Sequence, residues 1–82
     1  MMITIIITNF NKGKFLKKNL ESCRNQLDKN FEIIFFDDRS TDHSLKIVKN
    51  FIKKNKKIKF KLIKRTGEKY LENSYNQMSA II

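Results

Sequence analysis

Residues 31–42 read Phe31-Glu32-Ile33-Ile34-Phe35-Phe36-Asp37-Asp38-Arg39-Ser40-Thr41-Asp42, and the segment changes from apolar to polar at a single step. The apolar half is typical of a strand buried on both faces of a parallel sheet. The polar half contains three residues that are favoured at helix N-caps: Ser40, Thr41 and Asp42. Apolar side chains then recur at helical spacing, at Leu45, Val48 and Ile52. The segment therefore predicts a buried strand, a short polar turn and an amphipathic helix.

The same alternation precedes this segment. Residues 2–8 form a nearly continuous β-branched run, which predicts another strand buried on both faces. A polar turn follows this run. An apolar stripe at helical spacing comes next, formed by Leu16, Leu20, Cys23 and Leu27. The first half of the chain therefore predicts the order strand, helix, strand, helix.

A period-two pattern follows the second helix, because apolar side chains alternate with lysines over residues 57–62. A strand with one apolar face and one solvent-exposed face is typical of the edge of a sheet. A last helical stripe is formed by Leu71, Tyr75, Met78 and Ile82. The complete order β-α-β-α-β-α predicts an α/β protein with three layers, α/β/α, around a parallel sheet with right-handed crossovers.

The length of 82 residues allows one small domain, residues 1–82, with a marginal core. The apolar stripe of the third predicted helix continues to the last residue, with no Gly or Asn after it and no basic final turn. We therefore expect the domain to be incomplete, with the natural partner of its sheet in sequence beyond residue 82.

The chain is strongly basic, with 18 Lys and Arg against 8 Asp and Glu and a formal net charge of +10. This charge attracts polyanions and phosphorylated molecules, but an AT-rich coding sequence also produces an excess of lysine, asparagine and isoleucine. Cys23 is the only cysteine, so no internal disulfide can form. The first residues show no signal peptide and no membrane-spanning run. We therefore expect a cytoplasmic protein, with peripheral contact at the inner membrane face as an alternative.

Ligands of doubly wound sheets bind beyond the carboxyl ends of the strands. The loop that follows the second predicted strand holds the only acidic cluster, Asp37, Asp38 and Asp42. Adjacent carboxylates repel each other, so either a ligand or a helix N-terminus should compensate them. A hard cation is a third hypothesis, although no second acidic cluster completes its set of oxygen ligands.

The loop after the first predicted strand reads Thr8-Asn9-Phe10-Asn11-Lys12-Gly13-Lys14. It lacks the glycine-rich patterns with which dinucleotide-binding and P-loop proteins hold phosphates. Phe10 either stacks on a flat ring or folds back into the core. Lys12 and Lys14 either face a phosphate or are simply solvated.

Together these residues resemble the opening of the family 2 glycosyltransferases. The chain has the Thr-x-[Tyr/Phe]-Asn loop at residues 8–11, and its helix reads Leu20-Glu21-Ser22-Cys23-Arg24-Asn25-Gln26. The second strand and its acidic end, residues 31–42, also match, and the match continues through Ser44-Leu45-Lys46-Ile47-Val48. Beyond residue 48 the resemblance weakens, although Asn76 stands where the family often has an asparagine in its third helix.

The resemblance implies the Rossmann-like half of a GT-A fold that binds a nucleotide-diphosphate sugar, commonly a uridine nucleotide. By position, Thr8 and Phe10 would line the base pocket, with Phe10 stacked on the base. Asp38 would accept the imino hydrogen of the base, and Asp37 would support the loop. Arg39 stands where the family frequently has glycine, and it would pair with Asp38 or with a phosphate. Ile7 replaces the usual proline.

The family's metal-binding Asp-x-Asp motif and its catalytic base lie further along the sequence and are not among these residues. No residue of the chain is therefore assigned a catalytic role, and we expect no metal site here, although full-length members use Mn²⁺ or Mg²⁺. The expectation is the N-terminal, nucleotide-sugar-binding part of a glycosyltransferase of polysaccharide biosynthesis, inactive alone. In the full-length family a hexosyl group is transferred to a saccharide or lipid acceptor.

Two alternatives remain open. A basic module could bind nucleic acid or an anionic membrane through the lysine-rich residues 53–64. The predicted strand in this segment lacks the interleaved exposed aromatics of proteins that bind single-stranded nucleic acid. A non-functional gene remnant would instead self-associate through its apolar sheet edge and its last predicted helix.

Overall fold

The computed structural model describes residues 3–25 and 30–76. Its elements, in chain order, are β1 (Ile3–Asn9), α1 (Gly13–Arg24), β2 (Phe31–Asp38), α2 (Ser44–Lys54), β3 (Lys59–Thr66) and β4 (Lys69–Tyr75). The strands form one sheet in the order β1-β2-β3-β4, in which only the β3–β4 pair is antiparallel. The predicted α/β class and the parallel pairing of the first three strands are confirmed.

Both helices pack on the same face of the sheet, because buried residues of α1 and α2 share one core with alternate residues of β2 and β3. The strand order advances in one direction from β1 to β3, and right-handed crossovers that advance in one direction place successive helices on the same side. The described residues therefore form two layers. The third layer that the sequence predicts has no counterpart among them.

The core lies between the helices and the covered face of the sheet. Its buried members are Leu16, Leu20, Phe31, Ile33, Phe35, Val48, Phe51, Ile52, Phe60 and Leu62. Phe60 lies at the centre of an aromatic group, with its ring centroid 6.2 Å from that of Phe35 and 6.2 Å from that of Phe51. Cys23 packs at the margin of this core, where burial raises the pKa of its thiol.

The predicted third helix is wrong over residues 69–75, which form β4. Leu71 and Tyr75 are four residues apart, and this spacing places two side chains on one face of a helix and equally on one face of a strand. Gly67, with φ of 62°, begins the tight turn between the paired residues Thr66 and Lys69. Met78 and Ile82, on which the helix prediction also rested, lie outside the described residues.

The addition of β4 makes β3 an inner strand, not the edge strand that the lysine pattern predicts. The alternation itself is confirmed, since Phe60 and Leu62 are buried while Lys61 between them points to the other face. Lys61 forms an ion pair with Glu72 of β4, with Nζ 3.1 Å from Oε1. At the far end of β4, the Asn76 amide donates to the carbonyl oxygens of Ile52 and Asn55 and so joins the strand to the C-terminus of α2.

The face of the sheet opposite the helices is open within the described residues, and it carries apolar side chains together with charged ones such as Lys61 and Glu72. Ile6 is 64 % exposed and Phe36 is 36 % exposed, and both lie on this face. The prediction that β1 is buried on both faces is therefore wrong for the described part of the chain, because no element in it covers that side. No helix in the described ranges is long and apolar enough to cross a bilayer.

Phe35 and Phe36 offer a matched test of this one-sided core. We expect Phe35→Ala to lower the free energy of unfolding by about 3–5 kcal/mol, because it leaves a cavity among fully buried side chains. Phe36→Ala should cost about 1 kcal/mol or less, because its side chain lies on the open face. Urea denaturation followed by far-UV circular dichroism measures both, and equal losses would contradict the assignment of the two faces.

Candidate functional site

A cleft with a volume of about 370 Å³ opens at the carboxyl ends of β1, β2 and β3. The sheet register places Asn9 beside Asp37 and Asp38 beside Arg65 at this edge. The cleft is lined by Thr8, Asn9, Phe10, Lys12, Phe36, Asp37, Asp38, Ile63, Arg65 and Tyr70. Parallel α/β sheets receive ligands at this edge, so the fold brings the predicted loops together in the expected place.

Two polar side chains are buried beneath the cleft. Asn9 is 5 % exposed and Asp37 is 3 % exposed, and Asn9 Nδ2 donates to Asp37 Oδ1 at 2.9 Å. The same amide donates to Ser40 Oγ at 3.1 Å, and the Ser40 N–H donates to Asp37 Oδ2 at 3.2 Å. Both oxygens of Asp37 are therefore engaged within the protein, which is the arrangement of a residue that supports a loop.

Asn11 connects the loop after β1 to the loop after β2. Its φ of 51° lies in the left-handed region, which asparagine enters more readily than most residues. In this conformation Asn11 Oδ1 accepts the Thr41 N–H at 2.7 Å and the Asp42 N–H at 3.2 Å. The Asn11 N–H donates to Ser40 Oγ at 3.0 Å. The two loops are thereby joined directly by hydrogen bonds.

Asp42 joins the first residues of both helices. Its Oδ2 accepts the Gly13 N–H of α1 at 3.0 Å, and its Oδ1 accepts the Ser44 N–H of α2 at 2.9 Å together with the Ser44 hydroxyl. A carboxylate here accepts hydrogen bonds from N–H groups that a helix leaves unpaired. Its negative charge is also stabilised by the positive end of each helix dipole. A Cβ at residue 13 would lie 3.0 Å from Asp42 Oδ2, so glycine permits this close approach.

Asp42 therefore accepts hydrogen bonds at the start of α2, as expected for a cap, but it lies one residue before the N-cap position. The N-cap residue of α2 is His43, which makes no side-chain capping bond, and Asp42 supplies the acceptor from one position earlier. The hydrogen bonds from the Ser44 hydroxyl, and then from the Gly13 and Ser44 N–H groups, lower the pKa of Asp42 below its ordinary value.

Asp38 is the acidic residue that faces the cleft with cations beside it. Arg39 Nε lies 3.0 Å from Asp38 Oδ1, and Arg65 Nη1 lies 3.7 Å from the same oxygen. Arg65 is itself held by a hydrogen bond from its Nε to the Gly67 carbonyl oxygen at 3.2 Å, and its guanidinium carbon lies 5.9 Å from the centre of the Tyr70 ring. Each contact is at least partly solvated, so its energetic contribution is modest and its effect is mainly on geometry.

Arg39 has φ of 56°, a conformation that glycine adopts without steric cost. This explains physically why glycine suits the position after the acidic pair. In this chain a residue with a long cationic side chain occupies the same turn, and its guanidinium folds back on Asp38.

The structure brings most of the predicted site residues together. Thr8, Phe10, Asp37 and Asp38 line one cleft, and Arg39 adjoins it through Asp38. Phe10 is 56 % exposed, so it does not fold back into the core. Of the two loop lysines, Lys12 lines this cleft, and Lys14 lines a separate depression near the start of α1.

Other cleft residues escaped the sequence prediction. Arg65 enters it because β3 pairs with β2 in parallel, which places Arg65 beside Asp38. Tyr70 enters it because β4 folds back against β3, a hairpin that contradicts the helix expected at residues 71–82. Phe36 and Ile63 form part of the wall from the open face of the sheet. Gly67 was the available signal, because a glycine between two runs that can form strands is typical of a hairpin.

These residues do not fit a divalent cation. Asp37 is engaged by the Asn9 amide and the Ser40 N–H, and Asp38 stands beside two guanidinium groups that would repel a metal ion. In the described part of the chain, no group of three or more His, Cys, Asp or Glu side chains is placed to hold a metal. The acidic pair is therefore suited to accepting N–H donors.

The lowered pKa of Asp42 predicts a specific pH dependence. At pH values above 3.8, the ordinary pKa of an aspartate, a carboxyl group whose pKa is lowered by folding stabilises the folded state. This contribution is lost as the pH falls through the lower pKa of the folded state. Asp42→Asn should therefore be less stable than the parent chain at neutral pH, and the difference should shrink as the pH falls below 3.8. Urea denaturation across this pH range measures it, with Glu21→Gln as the control. A difference that stays constant with pH would refute the assignment.

The left-handed backbone at Arg39 predicts an unusual order of stability. We expect Arg39→Gly to be more stable than Arg39→Ala by about 1 kcal/mol, because alanine keeps the steric strain of a Cβ at positive φ. Both variants lack the guanidinium, so the difference between them reports the effect of the backbone conformation on stability. Thermal and urea denaturation of the pair would show it, and an alanine variant as stable as the glycine variant would argue against a strained turn.

The sequence is similar to one protein family and to several known proteins. The model of glycosyl transferase family 2 matches residues 4–80. An uncharacterized glycosyltransferase from Haemophilus influenzae is 41% identical over 58 residues, which are 71% of this chain and 23% of the relative. A Campylobacter jejuni protein, GalNAc(5)-diNAcBac-PP-undecaprenol beta-1,3-glucosyltransferase, is 37% identical over 58 residues, which are 71% of this chain and 19% of the relative.

An archaeal relative shows the same partial coverage. A Methanococcus voltae dolichyl N-acetyl-alpha-D-glucosaminyl phosphate 3-beta-D-2,3-diacetamido-2,3-dideoxy-beta-D-glucuronosyltransferase is 44% identical over 55 residues, which are 65% of this chain and 17% of the relative. The chain thus aligns with between 17% and 23% of the length of these proteins.

A solved structure shares the fold. The mannosyltransferase from Pyrobaculum calidifontis, in complex with GDP-Man and Mn²⁺, superimposes with a TM-score of 0.74 at 20% identity, over 78% of this chain and 19% of that protein. The described strands and helices therefore correspond to a Rossmann-like half of a GT-A fold. Because the family model covers nearly all of the sequence, the chain belongs to glycosyl transferase family 2 and corresponds to its N-terminal part.

Proposed function

We propose that the cleft binds the uracil nucleotide of a nucleotide-diphosphate sugar. One observation carries the proposal: Phe10 and Asp38, from the ends of the adjacent parallel strands β1 and β2, line the same cleft. An exposed aromatic ring offers a stacking surface for a base. A carboxylate is a pure acceptor, and it selects a base that presents an N–H at that point.

The other predicted residues have supporting roles in this proposal. Thr8 forms part of the wall, on the same sheet face as Phe36. Asp37 fixes the loop that carries Asp38, because its two oxygens hold Asn9 and the Ser40 N–H. Arg39 holds the Asp38 carboxylate from the neighbouring position. The base would thus meet a site whose parts are already fixed before it binds, which lowers the entropic cost of binding.

We further propose that residues 1–82 serve as the nucleotide-binding portion of a larger transferase unit, which transfers a hexosyl group to a saccharide or lipid acceptor. The relatives are several times longer than this chain, and one sheet face with exposed apolar side chains, such as Ile6 and Phe36, is open in the described structure. The described acidic residues do not fit the metal that would neutralise a leaving diphosphate. We therefore expect nucleotide binding, without sugar transfer, from these residues alone.

Titration with uridine diphosphate tests the binding site. In amide NMR spectra, signals of Thr8, Phe10 and Asp38 should shift at millimolar ligand, and Asp38→Ala should abolish the shifts because the acceptor for the imino hydrogen is gone. Glu21→Ala is the matched control, because Glu21 is exposed on α1 and does not line the cleft.

Phe10 is tested in the same titration. Phe10→Ala should weaken binding about 5- to 150-fold, because stacking on a base is worth roughly 1–3 kcal/mol. Phe10→Tyr should bind as well as the parent chain. Phe15→Ala removes a similarly exposed phenylalanine from α1 and should have no effect. Absence of any Asp38-dependent shift at millimolar ligand would sink the proposed function.

A further inference from the structure

The longest stretch of the sequence without an acidic residue lies between Asp42 and Glu68, and it contains nine lysines and one arginine. A biased composition can produce an excess of lysine, but it does not determine where in the fold the lysines lie. Four of them occupy the last turn of α2 and the turn that leads to β3, and all four are exposed: Lys53, Lys54, Lys56 and Lys57. The fold therefore concentrates positive charge at one place.

These lysines surround a depression with a volume of about 560 Å³ at the amino ends of β2 and β3. Phe31, the first residue of β2, and Ile58, which precedes β3, also line it. We call its cations the basic end, and they are Arg24, Lys53, Lys54, Lys56 and Lys57. The strand β2 leads from this depression to the cleft, and an eight-residue strand spans roughly 23 Å. The basic end and the cleft therefore lie at opposite ends of the sheet.

A second depression, with a volume of about 360 Å³, adjoins the first between α1 and α2. It shares Arg24 and Lys54 with the first depression and adds Lys17. Its one acidic lining residue is Glu21, so cations dominate both depressions. Among residues 3–25 and 30–76, none of the four lysines of the basic end forms an ion pair. Their charge is therefore not neutralised within the described structure.

Lysines near a helix C-terminus commonly bind its unpaired carbonyl groups, which is a purely structural role. At the end of α2 other groups take those carbonyls. The Asn55 amide donates to the Phe51 carbonyl oxygen at 2.9 Å, and the Asn76 amide donates to the carbonyl oxygens of Ile52 and Asn55 at 3.3 Å and 3.2 Å. The Ile58 N–H closes the following turn by donating to the Asn55 carbonyl oxygen at 3.0 Å. The turn is thus held by other residues, and the lysine ammonium groups are available to an external anion.

We propose that the basic end binds the domain to an anionic membrane surface. Lysine presents a compact point charge on a flexible stem, which suits headgroups that have no fixed arrangement. A cluster of about four to eight lysines and arginines is enough to attract anionic lipid. A single-stranded nucleic acid is less well matched, because the aromatic rings of the two depressions, Phe31 and Phe51, are buried and offer no surface for a base. Binding through the basic end leaves the cleft on the side away from the bilayer.

Vesicle co-sedimentation of the whole chain tests the proposal. Vesicles of equal parts phosphatidylcholine and phosphatidylglycerol should bind the chain at low salt, and vesicles of phosphatidylcholine alone should not. Binding should be lost at about 1 M NaCl, where the Debye length is only about 3 Å. The test variant combines Lys53→Gln, Lys54→Gln, Lys56→Gln and Lys57→Gln. It should bind at least about 100-fold more weakly, because each lysine close to an anionic surface contributes about fivefold in affinity.

The matched control replaces four exposed lysines that line neither depression, by Lys18→Gln, Lys46→Gln, Lys49→Gln and Lys69→Gln. The two variants have the same net charge, so the difference between them reports the position of the lysines. The control should bind at least about tenfold more tightly than the test variant. Far-UV circular dichroism establishes that both are folded.

A smaller variant keeps the proposal testable if the test variant does not fold. Lys56→Gln with Lys57→Gln changes only the exposed turn after α2, and it should weaken binding about 25-fold. Lys56→Arg with Lys57→Arg keeps the charge and should bind as tightly as the parent chain.

Three results would overturn the inference. Equal weakening in the test variant and the control would mean that only net charge matters. Failure to bind the anionic vesicles at low salt would remove the membrane as the partner. Binding to duplex DNA that requires the same lysines, without binding to vesicles, would assign the basic end to nucleic acid instead. None of these results affects the nucleotide site, because the uridine diphosphate titration is made without vesicles.

Discussion

The site depends on one set of hydrogen bonds, those that join the loop after β1 to the loop after β2. Asn9 and Asn11 from the first loop bind Asp37, Ser40 and the backbone of the second. Without these bonds the buried Asn9 and Asp37 would be unpaired in a nearly solvent-free position, which is costly. Phe10 and Asp38, which adjoin these bonded residues in sequence, line one cleft as a consequence.

The three clustered aspartates, Asp37, Asp38 and Asp42, have different roles because their surroundings differ. Asp37 is buried and supports the loop, and Asp42 binds the N-termini of α1 and α2. Asp38 lines the cleft beside Asp37, and of these three carboxylates it is the one that contacts side-chain cations among the described residues. The repulsion expected between adjacent carboxylates is therefore relieved separately for each group, by N–H donors in one case and by guanidinium groups in the other.

The sheet has a covered face and an open face, and this asymmetry follows from the direction in which its strands advance. Two crossovers in the same direction place both helices on one side, so the apolar residues of the other side, such as Ile6 and Phe36, remain exposed among the described residues. Relatives in which this chain aligns with between 17% and 23% of the length have much more sequence with which to cover such a face.

The sequence by itself determined the strands β1 and β2, the two helices and the place of the site, because hydrophobic periodicity and polar turns are local properties. It also indicated Phe10, Asp37 and Asp38, since these follow directly on buried strands. Only the tertiary structure decided that residues 69–75 form β4 and that Arg65 lies beside Asp38. The physical reason is that these features depend on hydrogen bonds and ion pairs between residues distant in sequence, and a spacing of four residues is compatible with a helix and with a strand alike.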